Sequence, residues 1–296
     1  HSLFEVPKKI ARLRSHAYLT AYYSDLYRTD ALPIDVVISP EREVARAALQ
    51  RLSAPSTFDA ETFLNGRLHL LGISLDPDSP VLNTPLRQLT EMFSSLSAIV
   101  AGVRRGGKLF APEPGDQLFD GDQIYVFTLS QDVPRTLEIF GKPAARQDSV
   151  VIIGAGNVGL AVAQALEASP ERVRVKVIER DRARAEDAAD ALNRTIVLNG
   201  DGMDMDLLME ASIDRADALL AVTDDDRTNL LVSVRAKQAG CPMAIALVND
   251  PTLAPLMGPL DIDAFINPRA TTVSSILRHI RHGRVRAIYS IGDSEA

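Results

Sequence analysis

The hexapeptide Gly154-Ala155-Gly156-Asn157-Val158-Gly159 follows the apolar run 149–153 without a gap and opens a helical pattern over 157–168. Glycine at these three places has a mechanical sense: the first allows a tight turn, the second lets backbone approach a pyrophosphate, and the third lets helix and strand pack closely. The free amides and positive dipole end of such a helix receive phosphates. The next apolar run, 173–178, ends in Glu179, 23 residues after Gly156 and close to the ~20 expected of a carboxylate that bonds a nucleotide ribose. That carboxylate favours a free 2′-hydroxyl and so NAD or NADH, whereas Arg180 beside it can pair with a 2′-phosphate. Two further runs end in Asn199-Gly200-Asp201-Gly202 and Thr223-Asp224-Asp225-Asp226. Both ends fall on the carboxyl edge of a parallel sheet, where open α/β sheets bind ligands.

Other chemistries find less support. Three successive aspartates at 224–226 invite a metal, but one loop cannot aim all three at a single ion without further ligands. Asp226 or a neighbour as N-cap of a helix running to Gly240 is the better reading. None of the five histidines, His1, His16, His69, His279 and His282, falls between 149 and 268, and no Tyr-x-x-x-Lys or Gly-x-Ser-x-Gly pattern supplies a proton donor or nucleophile there. His279 and His282 share a basic helix that reads as a solvated face. Cys241 stands alone, which excludes disulfide scaffolds, cysteine-rich zinc sites and Cys-x-x-Cys redox chemistry. A binding domain rather than an enzyme is the expectation, and a fragment of a soluble NAD-dependent dehydrogenase is the alternative. The net charge of −7 argues against a nucleic-acid partner. The apolar runs fall far short of the ~20 residues that span a bilayer.

The elements that must position these residues alternate strand and helix from 149 onward. Strands are expected at 149–153, 173–178, 195–198, 217–222, 243–248 and 263–266, and helices at 157–168, 181–191, 203–211 and 226–239. This is a Rossmann-like parallel sheet built of βαβ units. Its last part is repeated: Ile34-Asp35-Val36-Val37-Ile38-Ser39-Pro40 matches Ile262-Asp263-Ala264-Phe265-Ile266-Asn267-Pro268. Upstream, Ile10-Ala11-Arg12-Leu13-Arg14 is set against Ala244-Ile245-Ala246-Leu247-Val248. Between the copies, 56–141 reads as a small α+β module. It has a strand at 66–75, a short helix opened by Asn83-Thr84-Pro85, a hairpin 99–103/108–110 turning on Gly106-Gly107, and a last strand at 123–129 before a short helix ending at Gly141. Residues 142–148 are polar and aperiodic, and make the linker. A chain that begins at His1 without an initiator methionine, with no front half to its first copy, reads as truncated at both ends.

The run 151–159, the acidic strand end, Asn199-Gly200-Asp201, and Ala221-Val222-Thr223-Asp224 with Asp226 and Asn229 together resemble the RCK (KTN) domain family. Asp30 to Glu41 and Pro112 to Phe119 strengthen the likeness, which covers the whole chain. The resemblance implies 1–53 as the tail of a first RCK N domain, 56–141 as an RCK C domain, 149–268 as a complete second N domain, and 269–296 as a crossing helix and the start of a second C domain. It further implies a cytoplasmic regulatory subunit, peripheral on the inner face of the membrane and a homo-oligomer through its RCK domains. Such a subunit binds NAD or NADH, with ATP and ADP as alternatives, and gates an integral-membrane potassium translocator. Carried over by position, residues Gly154 to Val158 meet the pyrophosphate and Glu179 the ribose, Thr223 and Asp224 lie near the nucleotide, and Arg12 is a nucleotide contact of the first half. The second copy departs there: Ala246 and Val248 stand for the two arginines, and Arg269 for Glu41.

Overall fold

A computed structural model of the chain describes residues 9–13, 34–53, 57, 59–64, 66–142, 148–169 and 172–280. Contacts divide the described residues into two compact units, one comprising those up to 49 with those from 147 onward, the other those from 50 to 146. The linker reading falls on 143–147, the start of a second C domain on 281–296, and much of the first copy on 14–33; all three segments lie outside the described residues.

The first copy supplies β1 (Ile10–Arg12), β2 (Val36–Ile38) and α1 (Pro40–Ser53). The strands pair in parallel, with Arg12 opposite Ile38. Helix α1 starts at Pro40, whose fixed φ suits a first helical turn and whose missing N–H costs nothing there. It buries Val44, Ala45, Ala48 and Leu52.

The second unit is an antiparallel sheet with two short helices. Its elements are β3 (Asp59–Phe63), β4 (Leu68–Ser74), α2 (Leu86–Met92), β5 (Ala98–Arg105), β6 (Lys108–Phe110), β7 (Gln123–Leu129) and α3 (Val133–Ile139), with strand order β3-β4-β7-β5-β6. Alternate residues of β4, β5 and β7 (Leu71, Ile73, Val103, Ile124 and Val126) pack with Leu137 into one core, the period-two burial that a one-faced sheet requires. Gly106 and Gly107 turn the β5–β6 hairpin at φ 55° and 81°, a left-handed pair that glycine adopts without strain. The edge strand β3 had no counterpart in the sequence reading, because Asp59-Ala60-Glu61-Thr62-Phe63 offers only two apolar positions.

From residue 149 the chain builds β8 (Ser149–Ile153), α4 (Asn157–Ala168), β9 (Arg174–Glu179), α5 (Arg182–Ala191), β10 (Ile196–Asn199), α6 (Met205–Glu210), β11 (Ala218–Ala221), α7 (Asp226–Gln238), β12 (Ala244–Leu247), β13 (Ala264–Ile266) and α8 (Pro268–Ile280). All six strands are parallel in the order β10-β9-β8-β11-β12-β13. Chain order therefore reverses between β8 and β11, which opens a crevice at their carboxyl ends. Strand β8 and helix α4 coincide with the sequence reading; the other elements shift by one or two residues at their ends. Helix α6 starts later than expected because Asp204 caps it. A 3-10 turn at Pro251–Leu256 fills a stretch left unassigned.

The repeat is real in three dimensions, but its alignment needs a one-residue correction. Strand β12 pairs Ile245 with Ala264, Ala246 with Phe265 and Leu247 with Ile266, while β1 pairs Ile10 with Val36, Ala11 with Val37 and Arg12 with Ile38. Ile38 and Ile266 each precede a polar residue and the proline that opens α1 or α8. The counterpart of Arg12 is therefore Leu247, not Ala246. Aliphatic runs align equally well in either register, yet a slip of one residue moves every side chain to the opposite face of a strand. Helix α8 of the second copy packs against β2 of the first.

Candidate functional site

The glycine turn between β8 and α4 shows three different reasons for glycine. Gly154 sits at φ 100°, and its N–H reaches the Ile178 carbonyl at 2.8 Å. At Gly159 an added Cβ would lie 1.9 Å from the Gly154 carbonyl oxygen, so helix and strand touch through bare backbone. Gly156 differs from both. It has extended backbone (φ −66°, ψ −177°), and a Cβ there would meet nothing within 4 Å. Nothing in the chain itself requires a glycine at 156; an object entering from the cleft would.

The helix that Gly156 opens is also left uncapped. Asp181 accepts the Arg184 N–H to cap α5, Asp204 the Asp206 N–H to cap α6, and Asp225 the Thr228 N–H to cap α7. Asn267 accepts the N–H groups of Arg269 and Ala270 to cap α8. No side chain caps α4. Its first-turn N–H groups and the positive end of its dipole are thus presented to an outside acceptor.

Glu179, at the end of β9, is 5% exposed. Its carboxylate accepts the Ala155 N–H at 2.7 Å and the Asp181 N–H at 2.9 Å, which ties the glycine turn to the neighbouring strand. Arg184, absent from the sequence reading, approaches Glu179 Oε1 at 3.5 Å and lines the same cleft as exposed Arg180. Its signal in sequence was only a position on the first turn of α5, behind the Asp181 cap. Asn199 Nδ2 donates to the carbonyls of Glu179 and Arg180, and Asp201 accepts the Met203 N–H, so the ends of β9 and β10 are held together. Gly202 lies close on β8: its Cβ would come within 2.6 Å of Ile153 Cγ2.

On the other side of the crevice, Asn229 is fully buried and uses its whole amide. Oδ1 accepts the N–H and hydroxyl of Thr223 at 3.0 and 2.7 Å, and Nδ2 donates to the carbonyls of Thr223 and Leu247 at 3.0 and 2.9 Å. This amide sets the ends of β11 and β12 side by side. The three aspartates have separate tasks. Asp225 is the N-cap, and the hydroxyl and N–H of Thr228 hold its carboxyl below the usual range. Asp226 instead accepts both the main-chain and side-chain N–H of Asn249 and the N–H of Asp250. Exposed Asp224 is left facing the cleft. Cys241, between α7 and the start of β12 at the opposite, amino edge of the sheet, is buried, and burial pushes its thiol up, as suits a core residue.

The cleft that gathers these groups has a volume of ≈ 1270 Å³. Gly154, Gly156, Asn157, Val158, Glu179, Arg180, Asp201, Thr223 and Asp224 all line it. So do Arg12, Pro40, Glu41 and Val44 of the first copy. Arg12, read from sequence as a contact of a first-half site, is here a wall of the crevice that contains the complete glycine turn. Leu247, Asn249 and Arg269 were not among the predicted site residues, yet they line it as well. Their strand and helix ends meet the turn only through the sheet order.

Residues 150–268 match the family model of the TrkA-N domain, and residues 70–141 that of the TrkA-C domain. The Trk system potassium uptake protein TrkA of Azorhizobium caulinodans is 42% identical over 293 residues, which cover 99% of this chain and 64% of that protein. The protein of the same name from Halomonas elongata is 31% identical over 299 residues, with 100% and 64% covered. The chain thus spans about 64% of the length of these relatives. Among solved structures, the GsuK RCK domain superposes with a TM-score of 0.60 at 18% identity, covering 92% of this chain and 56% of that one. The GsuK channel bound to NAD superposes with a TM-score of 0.60 at 18% identity, covering 92% and 46%. Both share the fold of a parallel α/β domain with a small α+β domain. With both domain types matched in one chain and relatives aligned along nearly all of it, the chain carries a TrkA-N and a TrkA-C domain and is similar to TrkA proteins along its length.

Proposed function

We propose that this chain is the nucleotide-sensing part of a regulatory subunit of a potassium uptake system, with 149–268 as its complete nucleotide domain and 56–141 as its small domain. NAD or NADH, or ATP or ADP in its place, binds across the glycine turn. The amides of Gly156, Asn157 and Val158 take the pyrophosphate, Glu179 and Arg180 take the adenosine ribose, and Asp201, Thr223 and Asp224 border the ligand. The observation that carries this reading is α4, whose N-terminus lacks a cap and has an open Cβ position at Gly156. The curated relatives are named as Trk system potassium uptake proteins, and a neighbour in fold is described as bound to NAD. No helix among the described residues is long and apolar enough to cross a membrane. A role at the cytoplasmic face of a TrkH/TrkG-like translocator, as a homo-oligomer, fits these facts.

A regulatory rather than enzymatic role is supported by the curated relatives, which are named as Trk system potassium uptake proteins. Gating needs only that the ligand bind one arrangement of the domains better than another, and a coupling of ~1–3 kcal/mol suffices. Gly156→Asp provides the test. Aspartate is a good N-cap and its Cβ fits, so the fold should be kept, while side chain and charge would occupy the pyrophosphate position. Calorimetric titration with NADH should show affinity reduced more than about 100-fold with an unchanged thermal midpoint. Equal NADH affinity in the variant would overturn the assignment.

A further inference from the structure

The antiparallel unit holds a cavity of its own, ≈ 290 Å³ in volume. Leu86, Leu89 and Phe93 form one wall, Val100 of β5 faces them, and buried Val126 and Phe140 complete it. Helix α2 packs against the core of this unit through Leu86 and Leu89, yet it buries no residue completely. The opposite strand of the same sheet does: Leu71 and Ile73 of β4 are shut off from solvent. An apolar helix face that stays partly open over a hollow leaves burial unrealised that a ligand would supply. Two charged groups stand beside this hollow. Arg87, the second residue of α2, donates its main-chain N–H to the Pro114 carbonyl at 2.9 Å, and Glu113 immediately precedes that proline. Asp116 fixes the loop from both sides, its carboxylate accepting the Glu113 N–H at 2.7 Å and its carbonyl the Leu86 N–H at 3.0 Å. Both Arg87 and Glu113 are exposed and line the cavity. Among the described residues neither side chain has a hydrogen-bonded or ion-paired partner, and the two do not pair with each other.

We propose that this cavity binds a free α-amino acid with a branched or aromatic side chain, which makes the small unit an effector site in its own right. The apolar side chain enters between α2 and β5, the carboxylate meets Arg87, and the ammonium meets Glu113. Small-molecule sites combine an apolar lining with a few polar groups that fix orientation, and this cavity sits at the lower end of their ~300–1,000 Å³ range, so its occupant is small. The guanidinium fork suits a carboxylate, because its N–H groups form two charge-assisted hydrogen bonds to it. Charge complementarity selects the zwitterion. A fatty acid would set its carboxylate beside Glu113, and an alkylamine its ammonium beside Arg87, each a repulsive pairing. An amino acid satisfies both groups, and its side chain covers the open face of α2. The inference does not rest on the nucleotide reading, since every residue it uses lies in the antiparallel unit.

Titration of the isotope-labelled chain with L-leucine and with L-phenylalanine, followed by amide chemical shifts, tests this. Saturable shifts should appear at Leu86 to Val100 and at Glu113. Two analogues of leucine dissect the head group: 4-methylpentanoate lacks the ammonium and L-leucinamide lacks the carboxylate. Each should bind at least about tenfold more weakly than L-leucine. Arg87→Gln should weaken L-leucine about tenfold and leave L-leucinamide within about twofold, and Glu113→Gln should do the same for L-leucine while sparing 4-methylpentanoate. Both changes fall on exposed side chains and keep the main-chain bonds of the loop, so the thermal midpoint should hold. The proposal is overturned if neither amino acid shifts these amides. It is overturned equally if 4-methylpentanoate binds as tightly as L-leucine, which would make this a site for anionic amphiphiles. Shifts here that follow the concentration of the chain and ignore added amino acid would also overturn it, by showing a second copy over the cavity. Failure of the nucleotide reading looks different, because it alters NADH binding and leaves these titrations as they are.

Discussion

Asp122 in the antiparallel unit and Glu179 in the parallel one are both nearly out of reach of solvent, at 1% and 5% exposure. Their surroundings differ in kind. Asp122 receives Arg105 Nε at 2.8 Å and Nη2 at 2.7 Å, a two-pronged contact, and also the Phe119 N–H at 2.9 Å. The guanidinium is in turn covered by the rings of Phe119 and Phe110, 4.5 and 5.6 Å from their centroids. Burial alone would raise the Asp122 pKa, but Arg105 and the Phe119 amide outweigh it and leave the carboxyl below its usual range. This carboxylate closes the loop after β6 onto the hairpin and has nothing left to offer. Glu179 is held by two loop amides and by half-exposed Arg184 at 3.5 Å, and lines an open crevice. Asp122 is matched by a guanidinium and a loop amide within its own unit, whereas Glu179, matched by loop amides, shapes the glycine turn and lines the crevice.

That contrast can be broken most forcefully at Asp122. Asp122→Ala leaves exposed Arg105 with only the Gln117 carbonyl and two rings, frees the Phe119 N–H, and should destabilise the small unit by about 2 kcal/mol in urea denaturation. NADH affinity should stay within twofold; a large loss of binding would mean that the two carboxylates are not separate in function. Glu179→Gln comes next. An amide cannot accept from both the Ala155 and Asp181 N–H groups without turning its own NH₂ toward one of them. NADH affinity should fall about tenfold, with about 1 kcal/mol lost in stability. Unaltered binding would place the ligand away from β9.

The smallest effect on ligand binding belongs to Glu167, a half-buried carboxylate near the end of α4 that acts on stability alone. It accepts the N–H groups of Asn193, Arg194 and Thr195 at 3.1, 2.6 and 2.7 Å. Burial pushes its pKa up, but these amides and the Thr195 hydroxyl pull it down to about 2. A carboxyl depressed below its unfolded value of ~4.3 stabilises the fold above that pH and loses this contribution as pH falls towards 2. Glu167→Gln should therefore cost about 1–2 kcal/mol at pH 7, and the gap from the parent should narrow steadily between pH 4.5 and pH 2.5. A gap independent of pH would show that the amides bind Gln as well as Glu.

Much of the nucleotide domain was legible because each of its signals is local. The strand at 149–153, its three glycines and the helix at 157–168 follow one another without a loop, so their positions transfer from sequence to space directly. Glu179 was legible by spacing, and the hairpin on Gly106-Gly107 by turn chemistry. What could not be read were relations between segments distant in sequence. Leu247 and Asn249 reach the crevice only because β12 lies beside β11, and Arg184 because α5 turns back over β9. The register of the two copies was misjudged by one residue because Ile, Ala, Leu and Val cannot distinguish the two alignments; hydrogen bonding across β1–β2 and β12–β13 can. The aspartate triplet was read as supplying an N-cap through Asp226 or a neighbour, and Asp225 supplies it, but which carboxylate capped the helix depended on backbone angles at Asp225, which the letters do not carry.

The amides at the start of α4 are the groups on which nucleotide binding would depend. Backbone amide chemical shifts of the isotope-labelled chain during titration with NADH test it directly. The prediction is saturable shifts largest at Gly156, Asn157 and Val158, with smaller ones at Ala155 and Asp181, whose N–H groups bind Glu179. Saturable NADH binding that leaves these amides unmoved and shifts a different part of the chain would contradict it.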